Sequence, residues 1–495
     1  MDSSGFKHVS YNMNKIFTIL FLTLCSLSVS AQQFSQYNTG TLYDSFENPS
    51  QRAFIPDSSR QIAFNFFVPN FDANFYITGH IQQPLKSRAF GNPPFYNTSS
   101  LKIGQNALNH FNVNGNAYAV MLKFFSSLNG NVEMGFSAQT RIESKGLVTD
   151  ESVAFLDGPS NFAYNNYDNI FNNHYMVQMY DQLGFTYREQ VAKQLSIGFK
   201  LSYLSGIQYN KIDVDQSSLQ INRDLADPNN DNADVYMKGK YYRSYVPGRL
   251  NGRDFLPTLR NPGASISMGA TYRTEDGILI QGNIKDLGFI HWNKRSTITN
   301  FDNTTNIEDI TSEHREKNIY NAVYELFRGN GQVTSFNTKT NAKAELSVSK
   351  SYWLDDDKTF RYFPTVVAQK EMFYPGFTGA WVNSVQKNNL IATLTATYDD
   401  YKLFNLGAQI MLKSANTEFF IGSERLTNTG RFTLATLNNT TQINHIGNYT
   451  GADIFLGFSL KFGRVIEHPM NSSYIPMGEK GFFGRLFGRI FKTNN

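Results

Sequence analysis

The side chains most able to do chemistry in this chain of 495 residues are histidines, serines and carboxylates, and their spacing matches no catalytic motif. The eight histidines are scattered, and no two have the separation that pairs metal ligands on one helix face. A nucleophile elbow, a phosphate-binding loop and an HExxH motif are all absent. A serine and a histidine distant in sequence can still meet in a fold, so a hydrolase is kept as a second alternative. We predict no enzymatic activity and no cofactor.

One short segment resembles the start of a calcium-binding loop, because Asp227, Asn229 and Asp231 place oxygen ligands at alternate positions. The pattern then fails. Asn232 stands where such a loop requires glycine, and Lys238 stands where it requires a bidentate glutamate. We therefore interpret the segment as a solvated loop and predict no metal site.

The C-terminal residues 464–495 form a basic amphipathic tail. Apolar side chains recur there at helical spacing and basic side chains fall away from that stripe, although two glycines weaken the helix. The residues that we predict to contact a membrane or a protein partner are Phe483, Arg485, Leu486, Phe487, Arg489, Ile490, Phe491 and Lys492. Such a segment is typical of a surface-lying helix, and a packing helix or a disordered extension is the alternative.

The N-terminus has the pattern of a secretory signal peptide over residues 1–31. Lys15 supplies a short basic region, residues 16–27 are apolar, and Ala31 ends a small-residue cleavage site before Gln32. Met13 is the predicted start, since the twelve residues before it add nothing that a signal needs.

The only cysteine, Cys25, lies inside this signal, where Leu24 before it disfavours a lipoprotein site. The mature chain is therefore predicted to contain no cysteine. That excludes disulfide scaffolds, thiol catalysis and cysteine-based metal centres.

Charge is balanced over most of the chain. The formal net charge is +4, but residues 32–463 hold 38 basic and 38 acidic side chains, so the excess lies at the two ends. A nucleic-acid partner requires a basic surface on the folded body. We predict no nucleic-acid binding.

The elements that must position these side chains are β-strands, because apolar and polar residues alternate with period two. A mean hydropathy of −0.38 is too polar for a bundle of membrane helices. The clearest alternating segments are 132–142, 195–203, 264–272, 390–398, 404–412 and 454–462.

Three features favour a membrane barrel over a soluble sandwich. The polar face is rich in glycine, serine, threonine and glutamine, which suits a wet lumen, and no domain linker interrupts the strands. Several apolar faces also end in an aromatic residue, as interfacial girdles do: Tyr187, Tyr203, Tyr272, Tyr398 and Phe462. We predict an all-β, transmembrane antiparallel β-barrel over residues 61–463, with about 14 strands and a range of 12 to 16.

Connection lengths fit the same prediction, since barrels join their strands by short turns at one end and long loops at the other. Short connections are predicted at 188–194, 273–277, 399–401 and 413–416, and long loops at 82–109, 147–174, 215–234 and 293–332. The last of these contains a helical pattern that ends near Gly329. Residues 32–60 are predicted to be a periplasmic N-terminal segment.

The residues 33–37, QFSQY, followed by Asn48-Pro49, resemble the mature N-terminus of PorP/SprF-like outer-membrane proteins of the type IX secretion system in Bacteroidota. Those proteins commonly continue with alanine, where this chain has Ser50. Residues 195–206 and 286–292 are similar to segments of large, uncharacterised Bacteroidota barrels known as a domain of unknown function.

The resemblance implies a protein of the cell outer membrane of a Gram-negative bacterium. Its partners would be outer-membrane lipid, the barrel-insertion machinery and a periplasmic or secretion-system protein bound through the tail. The function it implies is a non-enzymatic structural or assembly component linked to secretion or gliding. The alternative is a passive channel or a FadL-like carrier for hydrophobic small molecules, and the second alternative is an outer-membrane hydrolase.

Overall fold

The computed structural model describes residues 34–54, 61–91, 93–125, 131–224, 226–227, 231–246, 255–329, 331–438 and 449–463. The predicted signal, its cleavage residues Ala31 and Gln32, and the whole tail from residue 464 onward lie outside these residues. Within the described ranges, every helix is too short or too polar to cross a membrane.

The described residues form strands β1 to β21 and helices α1 to α5. The strands are β1 Ile62–Phe64, β2 Asn70–Thr78, β3 Leu108–Phe125, β4 Val132–Thr149, β5 Asn166–Asp168, β6 His174–Gln190, β7 Leu195–Asn222, β8 Asn232–Arg243, β9 Pro262–Arg273, β10 Ile278–Trp292, β11 Thr297–Ile307, β12 Gln332–Val333, β13 Phe336–Lys339, β14 Lys343–Lys350, β15 Tyr352–Trp353, β16 Phe360–Glu371, β17 Phe377–Lys387, β18 Leu390–Asp399, β19 Phe404–Lys413, β20 Thr417–Ser423 and β21 Tyr449–Phe462. The helices are α1 Leu42–Glu47, α2 Gln82–Phe90, α3 Asp150–Asp157, α4 Arg315–Arg328 and α5 Leu426–Asn438.

Fourteen antiparallel strands close into a barrel. Their order around the wall is β2, β3, β4, β6, β7, β9, β10, β14, β16, β17, β18, β19, β20 and β21. The last strand returns to the first, with Leu456 of β21 opposite Phe71 of β2. Closure leaves no strand edge in the wall, and the predicted fold class and strand number are confirmed.

The first wall strand is interrupted. Ile62 of β1 pairs with both Phe462 and Phe124, so β1 fills the same place in the wall as β2, one level away along the barrel axis. Between the two, Phe66 and Phe67 adopt positive φ angles of 50° and 59°. Such angles are uncommon for bulky residues, which explains why the ladder breaks here.

The wall is apolar outside and polar inside, the reverse of a soluble protein. On β4, Phe136 points outward and is 51% exposed, whereas Glu133 and Arg141 point inward and are buried. On β18, Leu394 is 66% exposed outside and Thr395 is buried inside. An outer face of exposed leucine, phenylalanine and isoleucine requires an apolar surrounding, which a bilayer supplies.

The connections differ at the two ends of the barrel. Residues 191–194, 274–277, 388–389 and 414–416 are short turns at one end, whereas residues 79–107, 150–173 and 293–342 cross the other end. The connection predicted at 399–401 is also short, but it joins β18 to β19 at the end that carries the long loops.

The predicted loop at 215–234 is instead mostly strand. β7 continues to Asn222 and β8 starts at Asn232, because β7 extends past the wall and pairs there with β8, which lies between β7 and β11 in a side sheet. Buried Val235, Phe301 and Leu326 hold α3 and α4 against this sheet. The helical pattern before Gly329 is confirmed as α4. We name β5, β8, β11, α3, α4 and the outer half of β7 the outer module.

The N-terminal segment also differs from its prediction. Residues 34–54, assigned to the periplasm by sequence analysis, lie inside the barrel and contact its inner wall. The physical reason is an amphipathic sequence of 21 residues that matches the lumen, described next.

Candidate functional site

The lumen is occupied by residues 34–54, which we name the plug. The backbone N–H of Leu42 donates to Glu418 of β20 at 2.9 Å, and the N–H of Ala53 donates to Glu133 of β4 at 3.0 Å. Between these two contacts, the hydroxyl of Ser50 lies 2.7 Å from the hydroxyl of Thr271 on β9. β9 and β20 stand on opposite sides of the closed wall, seven strands apart in the ring of fourteen. The plug therefore crosses the lumen.

Helix α1 forms the apolar part of the plug. The Thr41 side chain caps it by accepting from the N–H of Asp44 at 3.1 Å, as N-cap residues do. Leu42 and Phe46 are fully buried, and they belong to one cluster with inner-wall residues of β3, β18, β19, β20 and β21. The cluster residues on these strands are Tyr118, Met121, Ile391, Met411, Phe420 and Phe455, and Ala63 of β1 and Phe363 of β16 complete its wall side. The apolar patch on this otherwise polar inner wall is thus the patch that the plug covers.

Charged groups fix the other side of the helix. Glu47 accepts from the Tyr118 hydroxyl at 2.7 Å and lies 3.2 Å from the Lys285 ammonium and 3.4 Å from the Arg141 guanidinium. Arg141 also pairs with Asp286 of β10 at 2.5 Å. Removing one partner of such a buried pair typically costs about 3–5 kcal/mol, so these contacts hold the plug in one position.

Two glycines make room for the plug. Gly198 of β7 and Gly269 of β9 lie directly opposite each other in the wall. A Cβ atom on Gly198 would lie 2.0 Å from the carbonyl oxygen of Pro49, and one on Gly269 would lie 2.3 Å from Oδ1 of Asn48. The Asn-Pro pair therefore fits a notch that any side chain would fill.

The tip of the plug is held by Glu424, which follows β20. Its Oε1 accepts from the backbone N–H of Ser35 at 2.7 Å and from the Ser35 hydroxyl at 2.8 Å. The Ser35 hydroxyl also lies 3.0 Å from the Thr395 hydroxyl. Phe34 packs beside these groups against Val367 and other apolar side chains of β16 and β17.

An inner and an outer cavity lie in the lumen beside the plug. The inner cavity, of about 50 Å³, lies beside the plug and is lined by Glu47, Arg141, Lys285 and Asp286 among others. The outer cavity, of about 90 Å³, lies at the end with the long loops and has Phe34 of the plug in its lining. Lys343 belongs to both linings, so the two cavities adjoin.

The residues singled out from sequence do not form this site. The cleavage and tail residues lie outside the described part of the chain. Asp231 of the calcium-like segment accepts from the backbone N–H of Asp224 at 2.9 Å, and the described residues contain no cluster of three or more potential metal ligands. Sequence reasoning missed the plug, although residues 34–37 and the Asn48-Pro49 pair, which carry the N-terminal resemblance, are parts of it.

Comparison with known proteins gives one family. The family model "Family of unknown function (DUF5723)" matches residues 53–424, about three quarters of the chain. No curated protein matches.

Several solved structures are similar in outline. The Pseudomonas putida toluene transporter TodX is 10% identical, with 84% of this chain and 93% of that chain covered and a TM-score of 0.37. A Pseudomonas aeruginosa FadL homologue is 11% identical, with 88% and 97% covered and a TM-score of 0.38. The translocator domain of autotransporter NalP from Neisseria meningitidis is 7% identical, with 82% and 89% covered and a TM-score of 0.30. Similarity at this level assigns no function to the chain.

Proposed function

The chain belongs to the family of unknown function DUF5723, and we propose that it is a non-enzymatic outer-membrane conduit for polar solutes, closed by its own N-terminal plug. The observation that carries this proposal is the course of residues 34–54 across the lumen, with contacts to Glu418 of β20 and to Thr271 of β9 on the opposite side of the wall.

The inner wall supports a conduit rather than a passive scaffold. Lys123, Lys200 and Lys461 are almost completely buried there, and taking charges out of water is costly. A barrel selected only for stability is served better by apolar packing inside. A charged inner wall gains hydration when the plug moves, which lowers the free energy of an open, water-filled state.

The lining also favours polar cargo over hydrophobic cargo. A FadL-like carrier for hydrophobic molecules requires an apolar cavity, because ligand sites match the polarity of what they bind. Most residues that line either cavity instead carry a carboxylate, ammonium, guanidinium or amide group. The passive-channel alternative therefore agrees better with the described lumen than the hydrophobic carrier does.

A structural or assembly role in secretion or gliding stays a prediction from the N-terminal resemblance. It also depends on the tail, which lies outside the described residues. Loss of co-purifying periplasmic partners on deletion of residues 464–495, with the barrel still folded, would revive it.

The proposal is tested by displacing the plug with one methyl group. Gly198→Ala introduces a Cβ atom 2.0 Å from the Pro49 carbonyl, whereas Gly282→Ala on β10 meets nothing within 4 Å. We expect liposomes with the Gly198→Ala protein to swell faster in neutral polar solutes than wild-type liposomes, and Gly282→Ala to match wild type. Equal swelling for the two folded variants would count against a plug that closes a conduit.

A further inference from the structure

The outer cavity is open to solvent and ends on the plug. Pro375 and Asp400, both exposed, form part of its rim at the long-loop end, and Phe34 of the plug tip is buried at its floor. Its volume is about 90 Å³, enough for several water molecules. The enclosed part therefore accepts one end of a small molecule while the rest lies in the open rim.

The lining of the outer cavity carries many uncharged amide groups and nearly equal numbers of positive and negative side chains. Amides project from three wall strands, with Asn74 on β2, Asn112 on β3 and Asn405 on β19. Three cationic side chains face four carboxylates, and one pair, Lys145 with Glu371, is already an ion pair. Near-balanced charge disfavours a strongly charged ligand, since each extra charge would meet like charge in the lining.

Three buried polar atoms of the lining have no hydrogen-bond partner among the described residues. They are Oδ1 of Asn74, Oε2 of Glu424 and Nη1 of Arg425, and each residue is less than a tenth exposed. An unpaired buried polar group costs about 1–3 kcal/mol, so an occupant that supplies partners is stabilised. Hydroxyl groups suit this set, because one hydroxyl donates to a carboxylate and accepts from a guanidinium.

Two aromatic rings hold the guanidinium of Arg425 in place. The Arg425 guanidinium lies 4.4 Å from the ring centre of Tyr76 and 5.2 Å from that of Tyr449. Stacking of this kind fixes the plane of the guanidinium and its direction of donation. The rings of Tyr76 and Tyr401 also line the cavity and offer apolar faces beside the polar groups.

We infer that the outer cavity binds a neutral, hydroxyl-rich solute, a mono- or disaccharide, through Asn74, Glu424 and Arg425. The inference rests on the proposed conduit for its biological role, and it names the class of solute. Glu424 holds Ser35 of the plug through Oε1 and leaves Oε2 without a partner among the described residues. A bound saccharide thus contacts the carboxylate that fixes the plug tip.

Binding is measured by saturation-transfer NMR on the full chain, folded in a detergent without a sugar headgroup. The probes are glucose, galactose, mannose and cellobiose, with alanine as a zwitterionic comparison. Arg425→Gln removes the stacked donor, and Arg431→Gln, an exposed cation on α5, is the matched control. We expect saccharide signals for wild type and Arg431→Gln, and binding about tenfold weaker for Arg425→Gln, as for loss of a charged hydrogen bond of about 1.4 kcal/mol or more.

Absence of saccharide signals in the folded wild type would overturn the inference. So would equal saccharide binding by Arg425→Gln, or saturable binding of alanine alone. Where Arg425→Gln does not fold, Asn74→Ala replaces it with the same expected loss. Saccharide binding without solute passage would support this inference and contradict the proposed conduit. Solute passage without saccharide binding would support the conduit and overturn this inference.

Discussion

Asp44 on the plug helix links the closed state to pH. Burial raises the pKa of Asp44 to about 7, against the opposing effects of the Gly40 N–H and nearby lysines. In an undocked, hydrated plug the carboxyl has its ordinary pKa near 3.8. Because the docked pKa is the higher one, docking binds a proton, and the plugged state loses stability as pH rises from about 4 to about 7.

Asp44→Asn mimics the protonated carboxyl and is expected to remove this loss. The variant should match wild type near pH 4 and exceed it above pH 7, by up to about 4 kcal/mol at roughly 1.4 kcal/mol per pKa unit. The measurement is the temperature at which unboiled protein loses its folded gel mobility, taken at each pH. A constant difference between the two proteins across this range would contradict the assignment.

The contacts of the plug could not be predicted from the sequence, because each depends on residues of several strands that meet only in the fold. The Asn48-Pro49 pair stands out in the sequence, but its partner notch depends on Gly198 and Gly269, which lie on different strands. Period-two patterning places these glycines on the polar face and says nothing about what approaches them. A buried charge such as Glu47 is likewise indistinguishable in sequence from a solvated one, since its partners come from three strands.

At the scale of elements, strands were predicted well because the wall imposes strict alternation on every crossing. β9 and β18 fall close to their predicted bounds, since one face meets an apolar surrounding and the other the lumen. The outer part of β7 escaped prediction because its polar, aspartate-rich residues have the composition of a loop. Its strand conformation is imposed by pairing with β8, a tertiary effect that outweighs local propensity.

Helix α4 is expected to stabilise the outer module without contributing to the barrel. Ile319→Ala removes a buried side chain from the core of the module, at a typical cost of about 2–5 kcal/mol. Tyr320→Ala, which changes a side chain that is 64% exposed, is the control. Limited proteolysis should cut the outer module faster in Ile319→Ala only.

The gel mobility of the unboiled Ile319→Ala protein should stay that of a folded barrel, since the fourteen wall strands pair independently of α4. Loss of barrel mobility in Ile319→Ala would mean that the module and the wall fold as one unit.

At the scale of the whole molecule, the chemistry of the outer and inner faces of the wall determines which medium surrounds the barrel. The outer face exposes large apolar side chains such as Phe136 and Leu394, whereas the inner face buries charged ones such as Lys123 and Lys461. Water outside the barrel would destabilise this arrangement, and a bilayer stabilises it. We therefore expect fractionation to place the protein in the outer membrane, and heating to shift its gel mobility. A soluble protein with no heat-dependent shift would contradict a membrane barrel.

The plug is the feature that separates a closed conduit from an open pore. Its base can be tied to the wall at Ser50 and Thr271, because their hydroxyl oxygens lie 2.7 Å apart and the two side chains therefore point toward each other, as the halves of a disulfide must. The only native cysteine, Cys25, belongs to the predicted signal, so the pair Ser50→Cys and Thr271→Cys would be alone in the mature chain.

The most direct test is the single-channel conductance of this double-cysteine protein in planar bilayers, with and without reductant. We predict openings in the reduced protein, none in the oxidised protein, and no effect of reductant on either single-cysteine variant. Equal conductance in the oxidised and reduced states would contradict closure of the lumen by the plug.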